Sequence, residues 1–300
     1  ASCNDQDFQN LMHVYLDAVF YPNIYENEAI FRQEGWHYEL DEAGELTYNG
    51  VVYNEMKGAF SSPDNVLYRE ISTALYPNTT YGYESGGDPE SIPELTYEQF
   101  LDFHRTYYHP SNSYIYLYGN MDMAEKLTFI DEHYLSAYDE LEVDSQVASE
   151  APFAAPARRV REFSVGEGES AEENTYLAWS MSVGDTLDRE LYVAFKILDF
   201  ALCTVPGAPL KKALIEKGIG RDVYSIYDND LKQPYFSVVA KGTDLRREQE
   251  FLDTIREVLG EIVRKGFDKK ALLAAINHYE FKYREADFGS YPKGLMYGLQ

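Results

Sequence analysis

The sequence predicts an α+β protein of two units joined by a linker, and three observations lead to this fold class. In the second half, strand-like segments precede long amphipathic helices, an order that is typical of helices packed on an antiparallel sheet. Residues 145–157, SQVASEAPFAAPA, lack periodicity and are rich in Ala, Pro and Ser, as a linker would be. The net charge is −20 over residues 1–140 but −2 over residues 158–300, which indicates two units with different surfaces. We therefore divide the chain into 1–144, a linker at 145–157, and 158–300.

The first unit reads as mainly helical. Apolar side chains between Asp5 and Phe20 recur at i, i+3 and i+4, which predicts an amphipathic helix that ends before Pro22. The same criteria predict further helices over 23–34, 51–59, 64–75, 96–107 and 122–134. Alternating aromatic and polar residues before a Glu-Ala-Gly-Glu turn predict a hairpin over 35–46, and SYIYLY predicts a buried strand over 113–118.

The second unit alternates strands with helices. Apolar and β-branched runs predict strands over 160–165, 174–181, 224–227 and 235–241. Helical periodicity predicts helices over 188–202, 209–217, 245–265 and 268–285, the second and third of which are followed by glycine.

Composition excludes some classes of protein. A 45% hydrophobic content with 27 Tyr and 16 Phe supplies enough apolar surface for packed cores. No apolar run approaches the roughly 20 residues that span a bilayer, so we expect no membrane partner. A net charge of −25 disfavours nucleic acid and favours cationic ligands, although it could serve solubility alone. Two distant cysteines, Cys3 and Cys203, favour reduced thiols in a reducing compartment over a disulfide.

A search for familiar catalytic motifs is mostly negative. The sequence contains no phosphate-binding glycine loop, no G-x-S-x-G elbow, no C-x-x-C, and neither H-E-x-x-H nor H-x-x-E-H. His104 and His109 are five residues apart, which places them about 140° apart on a helix, so they cannot form a one-face zinc pair. Structural roles are therefore the simpler interpretation of the six histidines.

Two blocks are dense in special residues. In GVVYNEMKG, Glu55 lies within a short apolar helical stretch, where a carboxylate is either solvated, the commoner case, or a ligand. In YGYESGGDP, Gly82, Ser85, Gly86, Gly87 and Asp88 form a glycine-rich loop, which ordinary turn chemistry would also explain.

These blocks lie within a long co-linear resemblance to a known family. The strings GVVYNEMKGAFSSPDNVL, YGYESGGDPESIPELTYEQFLDFHRTYYHPSN, FALCTVPGAPLKKALIEKGIGRDV and YFSVVAKGTD resemble the presequence-protease branch of the pitrilysin/insulinase family of zinc metallopeptidases. The resemblance extends over nearly the whole chain. It implies two LuxS/metallohydrolase-like peptidase repeats, the first incomplete and the second non-catalytic, each an antiparallel-rich sheet packed with helices.

The resemblance also implies the chemistry. The family hydrolyses short unfolded peptides with a zinc-activated water, and Glu55 matches its downstream zinc-ligand Glu. The two zinc-binding His and the general-base Glu of H-x-x-E-H would lie upstream, so we expect no catalytic residue within these 300 residues. The loop from Gly82 to Asp88 would frame the site, with peptides and the remainder of the same chain as partners. A non-catalytic binding or structural subunit of the same superfamily is the alternative. The expected location is the cytoplasm, or an organelle matrix in a eukaryote.

Overall fold

A computed structural model of the chain describes residues 4–168, 173–286 and 288–299. It is an α+β protein, as the sequence predicts, with helices packed beside small antiparallel sheets. The chain forms two compact units, and neither is continuous in sequence. Unit 1 comprises residues 1–59, 85–146 and 288–300, and unit 2 comprises residues 60–84 and 147–287. The predicted linker at 145–157 leaves residues 60–84 in the first unit, whereas their contacts group them with unit 2.

Unit 1 is built mainly from helices. They are α1 (Asp5–Phe20), α2 (Glu28–Glu34), α3 (Val51–Ala59), α5 (Tyr97–Tyr107), α6 (Met123–Ile130) and α11 (Lys293–Leu299). The apolar face of α1 packs Met12, Leu16 and Phe20 against Ile130 and Tyr134, which form the core of this unit. Side chains of Asn4, Thr96 and Asp122 accept hydrogen bonds from the first turns of α1, α5 and α6, so each of these helices starts at a capping residue.

The sheet of unit 1 is a two-stranded hairpin. Strands β1 (His37–Leu40) and β2 (Leu46–Asn49) pair antiparallel, with Tyr38 opposite Tyr48 and Leu40 opposite Leu46. The turn between them is closed by Asp41, whose side chain accepts hydrogen bonds from the backbone N–H groups of Ala43 and Glu45. The hairpin leads directly into α3.

Unit 2 is organised around a three-stranded antiparallel sheet in the order β3-β5-β4. The strands are β3 (Thr175–Ser182), β4 (Asp222–Asp228) and β5 (Tyr235–Thr243), and the helices are α4 (Pro63–Leu75), α7 (Arg189–Asp199), α8 (Pro209–Glu216), α9 (Glu248–Lys265) and α10 (Lys269–Glu285). Val238, Val239 and Ala240 of the central strand are fully buried, and so are Leu210 and Leu214 of α8. Residues 235–240 of β5 are all buried, so both faces of this strand are covered.

Helix α4 belongs to unit 2 although it precedes the linker in sequence. Ile71, Leu75 and Tyr76 pack with Tyr235 of β5. Tyr76 is fully buried, and its hydroxyl donates a hydrogen bond to the carbonyl of Gln233. This cluster explains why residues 60–84 group with the second half of the chain.

The predicted linker has no helix or strand, yet its residues 147–150 are held by unit 2. The Val147 carbonyl accepts a hydrogen bond from Lys232 Nζ at 2.7 Å. Glu150 accepts hydrogen bonds from the backbone and the side chain of Asn78, which lower the pKa of its carboxyl.

Two predicted strands are wrong. Residues 113–118 and 160–165 form no strand and pair with none in the described part of the chain. A strand needs a neighbour for its backbone groups, and a local apolar run cannot supply one. Residues 113–118 instead expose most of their side chains, and Tyr116 donates its hydroxyl to the Gly294 carbonyl of α11 at 2.7 Å. Sequence analysis did not predict α11.

One stretch contradicts our reading of hydropathy. By length and composition alone, the helical segment Arg189–Glu216 is apolar enough to cross a membrane. However, its Leu202, Cys203, Leu210 and Leu214 belong to the core of unit 2. Packing in the core of unit 2 therefore accounts for these four apolar residues. Burial raises the pKa of the Cys203 thiol to about 11, whereas Cys3 lies outside the described residues.

Candidate metal-ligand helix

Glu55, the predicted zinc ligand, lies in the middle of α3 with an exposed side chain. None of the nine residues of this helix is buried, although its flanking Val52 and Met56 are half-buried. The Glu55 carboxylate can therefore bind a group from outside unit 1. Because it is exposed, it needs no compensating partner inside this unit.

The start of α3 is fixed by Asn49, the last residue of the hairpin. The Asn49 side-chain oxygen accepts hydrogen bonds from the backbone N–H of Gly50 at 2.8 Å and from the Asn54 side chain at 2.6 Å. Its amide nitrogen donates to the carboxylate of Glu39 on β1. One side chain therefore links both strands of the hairpin to the helix that carries Glu55.

Gly50 allows the hairpin to approach α3 closely. A Cβ added to Gly50 would lie 2.8 Å from the carbonyl carbon of Gly35 and 2.8 Å from Cα of Trp36, both of them backbone atoms. No side-chain rotation relieves such a contact, because the backbone itself would have to move. Only glycine fits here, and the direction of α3 depends on it.

The glycine-rich loop is divided between the two units. Ser85, Gly86, Gly87 and Asp88 belong to unit 1, whereas Gly82 belongs to unit 2, where its carbonyl accepts a hydrogen bond from Thr73 Oγ1 at 3.1 Å. A site framed jointly by all five residues stays a prediction.

Within unit 1, this loop reaches α3 at Gly86. A Cβ on Gly86 would lie 3.0 Å from Cε of Met56, the residue after Glu55. Gly87 adopts φ +95°, and the Asp88 side chain accepts a hydrogen bond from the backbone N–H of Glu90 at 2.9 Å, so the loop closes as a tight turn. Gly86 therefore packs on α3 beside Glu55.

The described residues do not complete a zinc site. Within residues 4–168, 173–286 and 288–299, no group of three or more His, Cys, Asp and Glu side chains could hold a metal ion. Zinc needs three or four converging ligands, and Glu55 supplies one. His104 illustrates the structural role expected of the histidines, because its ring nitrogens lie 2.7 Å from the Tyr25 hydroxyl and 2.9 Å from the Val19 carbonyl.

Comparison with known proteins identifies the family. The family model described as the Peptidase M16 inactive domain matches residues 94–279. The chain belongs to the M16 peptidase family. The resemblance to the presequence-protease branch, which the sequence alone indicates, is confirmed.

Several curated proteins are similar over nearly the whole chain. Protein HypA of Clostridium perfringens is 48% identical and is matched over 100% of this chain. Presequence protease 1 of Arabidopsis thaliana is 40% identical over 100% of this chain, and the mouse mitochondrial presequence protease is 35% identical over 95%. The chain spans 31% of the first relative's length and 28% of the other two, so it corresponds to a part of each.

Solved M16 structures share the fold. A Pseudomonas fluorescens peptidase M16 inactive domain has a TM-score of 0.59 and 21% identity, and the match covers 83% of this chain and 56% of that one. Pitrilysin has a TM-score of 0.51 and 16% identity, with coverage of 80% of this chain and 26% of that chain. At these identities the likeness concerns the fold alone.

Sequence reasoning did not find the residues that hold α3. Asn49 and Gly50 form an Asn-Gly dipeptide between a strand pattern and a helix pattern, which is a recognisable turn signal. That signal marks a change of chain direction, but the contact with the Gly35 backbone depends on the folded hairpin.

Proposed function

We propose that this chain is part of a longer zinc metalloendopeptidase that degrades short unfolded peptides, and that Glu55 is one of its zinc ligands. The exposed carboxylate of Glu55 on a helix fixed at Asn49 and Gly50 supports this proposal most directly. The names of the presequence-protease relatives support the substrate class, and their mitochondrial or chloroplastic designations suggest a matrix compartment if the source is eukaryotic.

In this proposal the chemistry is shared with residues outside the chain. Two His ligands and a general-base Glu would come from an upstream H-x-x-E-H, and zinc bound there would polarise the attacking water. This chain supplies the third protein ligand and holds its helix in place. The 300 residues alone are then inactive.

The test replaces Glu55 with Gln in the full-length protein. An amide keeps the shape of the carboxylate but is a poor zinc ligand, so we expect zinc content and peptide hydrolysis to fall at least tenfold while the circular dichroism spectrum stays unchanged. Glu132→Gln, an exposed glutamate on another helical segment of unit 1, is the matched control. Normal zinc content and turnover in Glu55→Gln would contradict the assignment.

A second candidate is a non-catalytic binding or structural subunit. It is favoured by the matched family model, which describes an inactive domain. The residues encoded upstream discriminate between the two candidates. An intact H-x-x-E-H supports the peptidase, and its absence supports the non-catalytic subunit.

A further inference from the structure

Asn49 and Gly50 carry two groups that can react with each other. The carbon of an asparagine carboxamide is an electrophile, and the backbone nitrogen of the next residue is a nucleophile that reaches it by closing a five-membered ring. The approach is least hindered when the next residue is glycine, because no Cβ shields the nitrogen. Asn49–Gly50 is the only Asn-Gly pair in the 300 residues.

The folded hairpin holds the two reacting groups close together. Oδ1 of Asn49 accepts a hydrogen bond from the backbone N–H of Gly50 at 2.8 Å. Because a C=O bond is about 1.2 Å long, Cγ of Asn49 lies within about 4 Å of that nitrogen. A fixed carboxamide that points elsewhere is protected from attack, whereas this one is fixed towards its nucleophile. Such proximity accelerates an intramolecular reaction.

Two further side chains hold the Asn49 carboxamide. Its Nδ2 donates a hydrogen bond to the Glu39 carboxylate, and its Oδ1 accepts a second hydrogen bond from Asn54 Nδ2 at 2.6 Å. Negative charge develops on Oδ1 when a nitrogen attacks Cγ, and a donor already directed at that atom stabilises the charge. Asn54 also keeps the carboxamide in place once Gly50 has lost its N–H proton. The fold thus brings together a nucleophile, an electrophile and an oxyanion donor.

We propose that Asn49 is a site of deamidation that the fold promotes, with Asn54 as the group that stabilises the developing charge. Solvent base removes the N–H proton of Gly50, and the nitrogen forms a bond to Cγ of Asn49. Nδ2 takes up a proton from water and leaves as ammonia. Water then opens the succinimide ring at either of its carbonyl carbons, which gives aspartate or isoaspartate at position 49. The sum of these steps is hydrolysis of one carboxamide, with no oxidant or reductant.

Either product loosens the attachment of α3 to the hairpin. Aspartate loses the Nδ2 donor and places a second carboxylate beside that of Glu39, and like charges repel. Isoaspartate lengthens the backbone by one methylene directly before Gly50, where an added Cβ would already lie 2.8 Å from the Gly35 carbonyl carbon. A loss of zinc after this change rests on the proposed function, whereas the modification itself requires neither zinc nor peptide.

The experiment follows the modification by mass. The full-length protein is incubated at about pH 8, and the digested peptide that contains Asn49 is analysed over time for a mass increase of about 1 Da and for labelling by an isoaspartate methyltransferase. A synthetic peptide of residues 46–54, LTYNGVVYN, has the same neighbours without the hairpin. We expect Asn49 to convert at least as fast in the folded protein as in this peptide. Slower conversion in the folded protein would overturn the proposal.

The variant Asn54→Ala tests the oxyanion donor. Asn54 is exposed on α3, and alanine favours a helix, so the fold should be retained and circular dichroism checks this. We expect conversion of Asn49 to slow about fivefold in the protein, because the donor is lost, and to stay unchanged in a peptide with the same substitution, where no fold aligns the donor. An unchanged rate in the protein would contradict the role of Asn54.

Asn112 is an internal control, since a small residue, Ser113, follows it. Its carboxamide is held by the Tyr107 carbonyl at 2.9 Å and the Ser145 hydroxyl at 2.6 Å. The Ser113 nitrogen donates to the Pro110 carbonyl at 3.1 Å, so it is engaged away from the Asn112 side chain. Relative to a synthetic peptide of its own neighbours, Asn112 should convert more slowly in the folded protein, whereas Asn49 should not. Equal slowing at both sites would show that the hairpin does not promote the reaction.

Other outcomes separate this inference from the proposed function. If Asn49 stays intact while zinc and hydrolysis depend on Glu55, the deamidation site fails and the peptidase assignment stands. If Asn49 converts as described but the full-length protein binds no zinc, the deamidation site stands and the peptidase assignment fails. If both are correct, zinc content should fall in step with the modified fraction, and more slowly in Asn54→Ala.

Discussion

Lys241 on β5 forms an ion pair with Asp64 in the first turn of α4, with Nζ 2.8 Å from Oδ2, although the two residues are 177 positions apart in sequence. The Tyr224 hydroxyl donates to the other oxygen of the same carboxylate at 3.2 Å. The Asp64 carboxylate raises the pKa of Lys241. Because both charged side chains are partly exposed, we expect this pair to fix the position of α4 more than to stabilise unit 2.

Tyr76 should contribute most of the free energy that holds α4 in unit 2. Replacing Tyr76 with Leu removes ring volume from a fully buried site and leaves the Gln233 carbonyl without this hydrogen bond. We expect unit 2 to lose about 2–4 kcal/mol of unfolding free energy, measured by urea denaturation. Tyr83→Leu, at a tyrosine of the same segment that is 79% exposed, should change it by less than about 0.5 kcal/mol. Equal losses in the two variants would argue against packing of Tyr76 as the anchor.

Two glycines flanking Glu55 should respond oppositely to alanine. Gly50→Ala places a Cβ against the backbone of Gly35 and Trp36, so we expect a loss of about 1–3 kcal/mol from overpacking and a loss of zinc from the full-length protein. Gly58→Ala, near the end of α3, meets nothing within 4 Å and should stabilise the helix by about 0.5–1 kcal/mol. Thermal denaturation and metal analysis give both quantities. A tolerated Gly50→Ala would show that the hairpin does not position α3.

Asp199 should make unit 2 sensitive to pH. Its Oδ1 is buried without a hydrogen-bond partner in the described part of the chain, and burial raises the pKa of the carboxyl. The Ser225 hydroxyl donates a hydrogen bond to the Asp199 backbone carbonyl at 3.3 Å. The folded state therefore binds the Asp199 proton more tightly than the unfolded state, so its contribution lowers stability as pH rises through the folded pKa.

Replacing Asp199 with Asn removes this titration. We expect Asp199→Asn to match the wild type near pH 4 and to exceed it by about 1 kcal/mol at pH 8, since an unpaired buried charge is no longer required. Asp139→Asn, at an exposed position, should show no such divergence. The measurement is the midpoint of urea unfolding as a function of pH, and parallel curves for wild type and Asp199→Asn would contradict the assignment.

The isolated 300-residue chain should not retain zinc. One carboxylate cannot satisfy a tetrahedral ion, so we expect well under one zinc per chain after dialysis against a weak chelator, and no peptide hydrolysis. Atomic absorption gives the metal content. Stoichiometric zinc that disappears in Glu55→Gln would show that these residues contain a complete site.

Local periodicity predicted most helices of this protein because the residues of each apolar face lie within one continuous stretch of sequence. The buried Met12, Leu16 and Phe20 of α1 and the Thr96 cap of α5 are examples in which sequence and structure agree. Strand pairing depends on distant partners, and for this reason 175–182 and 235–243 form ladders whereas the apolar and aromatic run at 113–118 does not. The packing of Tyr76 against Tyr235 is likewise invisible to local patterns.

The candidate site was predictable in a different way. The chemistry of Glu55 came from the resemblance, since a single glutamate in an apolar helix carries no specific signal. What positions it, the hydrogen bonds of the Asn49 side chain and the close approach at Gly50, depends on the hairpin being folded. The loop is divided between the two units, with Gly82 in unit 2 and Ser85 in unit 1. This division depends on contacts with residues far away in sequence.

Because Cys203 is buried, the rate at which its thiol reacts with a reagent reports how often unit 2 opens. A thiol with a pKa of about 11 inside a packed core reacts with alkylating reagents only after the core opens, because the reagent needs both access and thiolate. In a Cys3→Ser background, the rate at which a thiol reagent modifies Cys203 would measure how often this core opens under native conditions. Comparing that rate with and without the Tyr76 anchor would show whether α4 detaches before the sheet opens.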